Sequence, residues 1–225
     1  SSTSANNTSA NNTSNNSTFN NNLLNNDLLD DDGIELSNFL VAELQMSNFI
    51  YQTLKDSGNN IKYCYGDNGL KTILTKDKDK YTYKFINPEH HKRFKLPELK
   101  NWGIKIGTLV ENILKSNGPV FVYTFFTSSG VLPLAFALEM AGFKRYKMHS
   151  RPLLNDNNKD QNYKGDYIIY TGNENLSTYA NKFFNKRENM IHETSVKVVI
   201  GSSKASEGLN LFGFREVHIL DPWHN

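Results

Sequence analysis

Cysteine is nearly absent: Cys64 stands alone in 225 residues. A single thiol excludes an intramolecular disulfide framework, and the six scattered histidines show no paired Cys or His spacing of the metal-binding kind. A reduced, intracellular protein is the expectation. Long hydrophobic runs are missing too. The longest largely apolar stretch, residues 120–126, falls far short of the about 20 residues a bilayer span requires, so no membrane partner is expected. The chain also lacks the basic-then-apolar opening of a secretory signal. Nor is there an excess of one charge. Twenty-five Lys and Arg against 23 Asp and Glu leave a net +2, which by itself supports neither nucleic-acid nor membrane binding. Any such binding has to come from a local site.

Hydrophobic residues make up 38%, under the about 45–50% usual for globular chains, and the deficit sits at the amino end. The first 22 residues comprise nine Asn, ten Ser or Thr, two Ala and Phe19. Their five-residue repeat TSANN offers no apolar face, so residues 1–33, with the acidic Asp27, Asp30, Asp31 and Asp32, read as a disordered tail and linker. Residues 34–57 follow with Leu36, Leu40, Leu44, Phe49, Ile50 and Leu54 at roughly helical spacing and Ser37 placed to cap. One helix ending near Gly58 is expected. From there to residue 100 the chain is polar, broken by Gly66, Gly69, Pro88 and Pro97, and reads as an irregular connector.

Residues 101–225 have a different pattern. An amphipathic helix through Ile104, Leu109, Val110, Ile113 and Leu114 gives way to the apolar strand 120–126. A helix at 132–140, strands near 143–148 and 166–171, a helix at 177–184, and strands at 196–200 and 216–220 continue the alternation. Alternating units with near-continuous apolar strands predict an α/β fold, a parallel sheet flanked by helices. In such a sheet, ligands gather at the carboxyl ends of the strands. That rule selects residues 126–130, 171–173, 201–208 and 221–225, which are mostly polar.

Residues 198–223, VVIGSSKASEGLNLFGFREVHILDPW, are the richest in chemistry. Hydroxyls, exposed amides and one Lys suit a backbone phosphate, and Gly208 allows close approach to the main chain. A generic strand-to-helix turn has the same composition, so the residues alone leave both readings open. Cys64 has no matched His and acid, and His218, alternating with Val217 and Ile219 on a strand, reads as structural. The basic cluster His90, His91, Lys92, Arg93 and Lys95 reads more readily as a solvated face than as a phosphate site. Trp102 and Trp223 read as packing anchors rather than base-stacking platforms.

The segment Ser202-Ser203-Lys204-Ala205-Ser206-Glu207-Gly208-Leu209-Asn210-Leu211 resembles motif V of superfamily 2 helicases of the Swi/Snf kind. That motif reads Ser-Thr-Arg-Ala-Gly-Gly-x-Gly-Ile-Asn-Leu, one residue longer, before an apolar strand ending near Asp and Trp-Asn. Residues 118–143 resemble motif IV and its helix, and Tyr170-Thr171-Gly172 with Phe184-Asn185 resembles the segment that follows. The wording is similar to the helicases of large cytoplasmic DNA viruses, relatives of poxvirus nucleoside triphosphatase I and the early transcription factor small subunit. The likeness covers residues 103–225, with a looser match at 41–51, where the family has an opening helix marked by Gln and Tyr.

What the resemblance implies is the second RecA-like lobe of a two-lobe ATP-dependent motor, a helicase or translocase tied to viral transcription. Thr127, Ser128, Ser202, Ser203 and Lys204 would match positions on the nucleic-acid side, and Gly208 and Asn210 positions near the nucleotide, with Glu207 beside them in a role left open. The implied cofactor is ATP with magnesium, bound mainly by a first lobe. The implied partners are nucleic acid, DNA in preference to RNA, that first lobe and viral transcription machinery, in the virion or host cytoplasm.

The departures matter equally. No GxxxxGK[ST] loop occurs, no Asp-Glu pair follows an apolar strand, and the chain stops before motif VI, where the family carries catalytic Gln and Arg. Arg215, in the connection before a strand, is no substitute. A fragment with no catalytic residue of its own is therefore expected, not competent to hydrolyse ATP alone. An alternative is a degenerate or orphan lobe serving as a nucleic-acid or protein-binding module. A glycosyltransferase nucleotide-sugar lobe, suggested by Ser206-Glu207-Gly208, lacks the further acidic and Pro residues it would need downstream.

Overall fold

The computed structural model describes residues 33–77, 81–172, 177, 180, 195–202 and 213–221. The expected tail, the helix at 177–184 apart from its two described residues, Trp223, and the segment 203–210 lie outside them. The chain divides by its contacts after Leu40, and before that point only the backbone of one helix is described.

That helix, α1 (Gly33–Asn48), starts four residues before Ser37, which therefore lies inside it and not at its cap. The aspartates preceding Gly33 in the sequence favour an early start, since acidic groups suit a helix amino end. It also stops ten residues before Gly58. The expected single helix fails because the next amides find partners elsewhere: Ile50 donates to the Trp102 carbonyl (2.7 Å) and Tyr51 to that of Cys64 (2.8 Å). Phe49 and Tyr51, read as helical, are instead fully buried anchors just beyond the helix.

The polar stretch to residue 100 is more ordered than an irregular connector. It contains α2 (Gly66–Ile73), an antiparallel hairpin of β1 (Leu74–Asp77) and β2 (Thr82–Phe85), a 3-10 segment (Pro88–Phe94), and the short α3 (Leu99–Trp102). Sparse apolar residues do the packing. Leu70, Ile73, Phe85, Phe94 and Leu99 join the same core as the main sheet, with Phe94 stacked on Phe49 at 4.9 Å. Burying each such side chain contributes about 1.5–3 kcal/mol.

The helix α4 (Ile104–Lys115) then leads to β3 (Val120–Tyr123), a π-type turn (Thr127–Val131), α5 (Leu132–Met140) and β4 (Phe143–Arg145). After a long loop come β5 (Gly165–Tyr170), β6 (Val196–Gly201) and β7 (Glu216–Ile219). The main sheet has five strands in the order β4-β5-β6-β3-β7, every pair parallel. The expected α/β fold is present, and it is RecA-like.

Burial on both faces explains the unbroken apolar strands. Val120, Val122, Tyr167, Ile169, Val198 and Ile200 face α4, α5 and the connector, while Phe121, Ile168, Val196 and Val199 face Ala180 on the other side. The helix α5 has no polar face, as befits a helix whose nine residues are all buried. Its one acid, Glu139, accepts from the Leu153 and Leu154 amides (2.8 and 2.9 Å), Tyr167 Oη (2.7 Å) and Lys159 Nζ (2.7 Å), pinning the loop between β4 and β5. No described helix is long and apolar enough to cross a membrane.

Candidate nucleic-acid interface at the strand ends

The strand registers align four residues in one row across the sheet: Tyr170 of β5, Gly201 of β6, Tyr123 of β3 and Ile219 of β7. One residue further along, the pairing continues through Ser202 N to the Tyr170 carbonyl (3.1 Å), Thr124 N to that of Gly201 (3.0 Å) and Leu220 N to that of Tyr123 (2.9 Å). Polar side chains thus begin together at the sheet's carboxyl edge. Thr171, Ser202, Thr124 and Asp221 are all at least nine-tenths buried.

This edge contains the place where the direction of the strand connections reverses. From β3 the chain runs to the far edge at β4, whereas from β6 it crosses back over β3 to β7. Ligands of open α/β sheets bind where the connections of neighbouring strands run in opposite directions, as those of β3 and β6 do.

Asp221 organises the β3–β7 side. Its carboxylate accepts from Thr124 Oγ1 (2.8 Å) and Asn48 Nδ2 (3.0 Å) through Oδ1, and from the Phe125 amide through Oδ2. Lys105 Nζ lies alongside, donating to Ser47 Oγ (2.7 Å), Asn48 Oδ1 (3.5 Å) and the Leu220 carbonyl (3.4 Å). Burial, and secondarily the Asp221 charge, pushes the Tyr123 hydroxyl above its ordinary value. The network ties the end of α1, the start of α4 and the tips of β3 and β7 together.

Thr127 and Ser128, expected on the nucleic-acid side, open the π-type turn after β3. Both are half-buried. The turn's bonds run five residues back, Val131 N to the Phe126 carbonyl (2.9 Å) and Leu132 N to that of Thr127. Such turns concentrate at functional sites. Gly130 leaves no room for a side chain without a shift, since a Cβ would lie 1.9 Å from Thr124 Oγ1. Just past β5, Ser177 Oγ accepts from Thr171 N and donates to Thr171 O, each at 2.8 Å.

Of the expected site residues, Thr127, Ser128 and Ser202 are brought to one edge, with Ser202 buried and placed between β5 and β3. Ser203, Lys204, Glu207, Gly208 and Asn210 lie outside the described residues. Thr124, Asn48, Lys105, Gln45 and Tyr51 were not singled out as site residues from the sequence. Thr124 had a signal, being the single polar residue in the run 120–126, and Gln45 and Tyr51 had one in the Gln and Tyr of the opening helix.

The remaining candidates resolve simply. Arg93 lies over the Trp102 ring at 3.9 Å and donates to the Tyr51 carbonyl, and Lys92 pairs with Glu89, so these two members of the basic cluster are engaged within the fold. His218 Nε2 bonds Glu216 Oε2 (2.9 Å), as a structural histidine would. Cys64 is a buried free thiol. Arg215 donates its amide to the Pro119 carbonyl (2.8 Å) and packs its side chain on Gly118 at the opposite end of β3. There it lines an open cavity of about 550 Å³ with Lys115, Asn117 and Glu216.

Known proteins extend this picture. A relative 23% identical over 193 residues, covering 84% of this chain and 27% of its own length, is named "Putative ATP-dependent RNA helicase R563" of Acanthamoeba polyphaga mimivirus. Another, 27% identical over 149 residues, is the "Termination factor NPH-I homolog" of African swine fever virus, matching 55% of this chain and 21% of that protein. These relatives are thus named as a viral helicase and a viral termination factor. The chain spans about a quarter of their length, 27% and 21% respectively. No protein-family model matches it, and no solved structure matches it significantly.

Proposed function

We propose that this chain forms part of the second motor lobe of a viral ATP-dependent nucleic-acid helicase or translocase acting in transcription. The observation that carries the reading is the pairing of β3 and β6: the turn holding Thr127 and Ser128 and the segment opened by Ser202 issue from adjacent strand ends of a RecA-like sheet. Similarity to one viral protein named as a helicase over 84% of the chain supports it.

In this reading Thr127, Ser128, Ser202, Ser203 and Lys204 track the phosphate backbone with hydroxyls, amides and one cation. Gly208 and Asn210, with Glu207 next to them, border the nucleotide. ATP would supply the free energy of anhydride hydrolysis when bound with magnesium between two lobes. Magnesium is assigned mainly to the first lobe, as the resemblance to two-lobe motors implies. What this lobe's own residues do is bind and orient a strand and shift with it.

The test is salt-dependent binding of the 225-residue chain to single-stranded and duplex DNA and to RNA, compared with Ser203→Ala/Lys204→Ala. Losing one phosphate neutraliser reduces the slope of log affinity on log salt by about 0.7–0.9. An unchanged slope rejects the assignment. DNA preference is expected over RNA, although the mimivirus relative is named an RNA helicase, and the paired substrates decide that choice directly.

A further inference from the structure

The turn that carries Thr127 and Ser128 does not hold itself. Three hydrogen bonds reach it from residues 41–66, far away in sequence. The Tyr51 hydroxyl donates to the Ser128 carbonyl. Ser129 Oγ, fully buried, accepts from the Gly66 amide (2.8 Å) and donates to Gln45 Oε1 (3.1 Å). Gly66 sits at φ 62°, and a Cβ there would lie 3.0 Å from the same Gln45 oxygen.

Tyr51 is itself fixed. It is fully buried, set edge-on to Phe49 at 5.0 Å, and its carbonyl accepts from Arg93, whose guanidinium lies on Trp102. A rigid aromatic arm therefore presents one hydroxyl to one backbone carbonyl of the turn. A purely apolar contact would have packed equally well with Phe, so the hydroxyl is informative about the turn's geometry.

We propose that Tyr51 and Gln45 are positioning residues for the strand-facing turn. They hold its five-residue backbone bonds, and so the orientation of Thr127 and Ser128 towards a nucleic-acid phosphate. The assignment of that ligand rests on the function proposed above. The clamp explains why a polar connector is packed into the lobe: it sets the shape of a binding turn and does more than join segments.

The experiment compares Tyr51→Phe, Gln45→Leu and Gln45→Glu with the unaltered chain. Hydrogen exchange is followed at the Val131 and Leu132 amides, whose bonds define the turn, and at β5 as an internal control. Nucleic-acid affinity is measured over a range of salt. Tyr51→Phe and Gln45→Leu are expected to speed exchange of those two amides about tenfold with β5 unchanged. They should weaken binding about fivefold without altering the salt slope, because no phosphate neutraliser is lost. Gln45→Glu keeps the acceptor for Ser129 and should restore both. Unchanged exchange at Val131 and Leu132, exchange quickened equally in β5, or unchanged affinity in a chain that binds would each overturn the proposal. If the unaltered chain binds no nucleic acid, the functional reading fails, and the exchange data still decide whether the clamp sets the turn.

Discussion

Thr124 and Asp221, 97 residues apart, meet through a 2.8 Å hydrogen bond at the carboxyl edge of the sheet. Neither is more than 3% exposed. A hydroxyl buried at the tip of β3 needs a partner, and a carboxylate at the tip of β7 needs donors. Each supplies the other, and Asn48 and the Phe125 amide complete the set. Two strand ends that are remote in the chain are thereby locked in one register, on which the turn at Thr127–Val131 is built.

Replacing Asp221 by Ala should therefore be costly. Three donors, two of them buried, lose their acceptor, each buried one at about 1–3 kcal/mol if unsatisfied, and partial relaxation leaves about 3 kcal/mol in total. Urea unfolding of the variant should show a lowered midpoint. In a double-mutant cycle with Thr124→Val, the coupling should be about 1–2 kcal/mol. A coupling near zero would mean that the two residues are neighbours without mutual dependence.

Gly130 gives a second prediction. A methyl group there meets Thr124 Oγ1 at 1.9 Å and Thr124 Cβ at 3.0 Å, so Gly130→Ala must displace the threonine or the turn. Overpacking of this kind costs about 1–3 kcal/mol. In a Thr124→Ala background the clashing Oγ1 is gone and only the 3.0 Å approach to Cβ remains, so Gly130→Ala should then add less. Thermal unfolding of the four proteins in this cycle decides it: an equal penalty in both backgrounds would show that the strain arises elsewhere.

The parallel sheet was legible because strands buried on both faces must be apolar throughout, and residues 120–123, 165–170 and 196–201 are nearly so. The helix α5 was legible for a similar reason. The connector was not, because its anchors are single aromatics, Phe49, Tyr51, Phe85 and Phe94, spaced without period among polar residues. Only their meeting in space shows that they form one cluster. The end of α1 is illegible in the sequence on the same account. Its apolar spacing continues past Asn48, but amide partners on Trp102 and Cys64 draw the chain away, and no local pattern encodes those. At the candidate site, Thr127, Ser128 and Ser202 could be picked out by their position after strands. The Asp221 network could not, since its members Asn48, Lys105 and Thr124 come from three separate segments.

Glu139 predicts a local effect. It holds the amides of Leu153 and Leu154, the Tyr167 hydroxyl and Lys159, the last at 16% side-chain exposure against 1% for the acid. Removing one side of a buried charged pair costs about 3–5 kcal/mol. Glu139→Ala should lower stability by that order and speed hydrogen exchange first at Leu153 and Leu154. Lys159→Met, which leaves three neutral donors on the acid, should cost less. Equal penalties would show that the lysine is the essential partner.

Alkaline pH supplies the last prediction, through Tyr51 and Tyr167. Burial, ahead of the nearby Tyr83 and Asp67, raises the Tyr51 hydroxyl well above its ordinary 10.0. Burial first, then the Glu139 charge, does the same for Tyr167. A raised folded-state value means that the native protein holds these protons more tightly than the unfolded chain does. The resulting stability is fully present below pH about 10 and is lost as pH climbs past the unfolded value towards the folded one. Stability should thus be level through neutral and mildly alkaline solution and fall above pH about 10. Tyrosinate absorbance from these two residues should appear only together with unfolding. Tyr51→Phe should flatten the alkaline decline by removing one linked proton. A chain in which all tyrosines ionise near their ordinary value while the fold persists would show that these hydroxyls are reached by solvent.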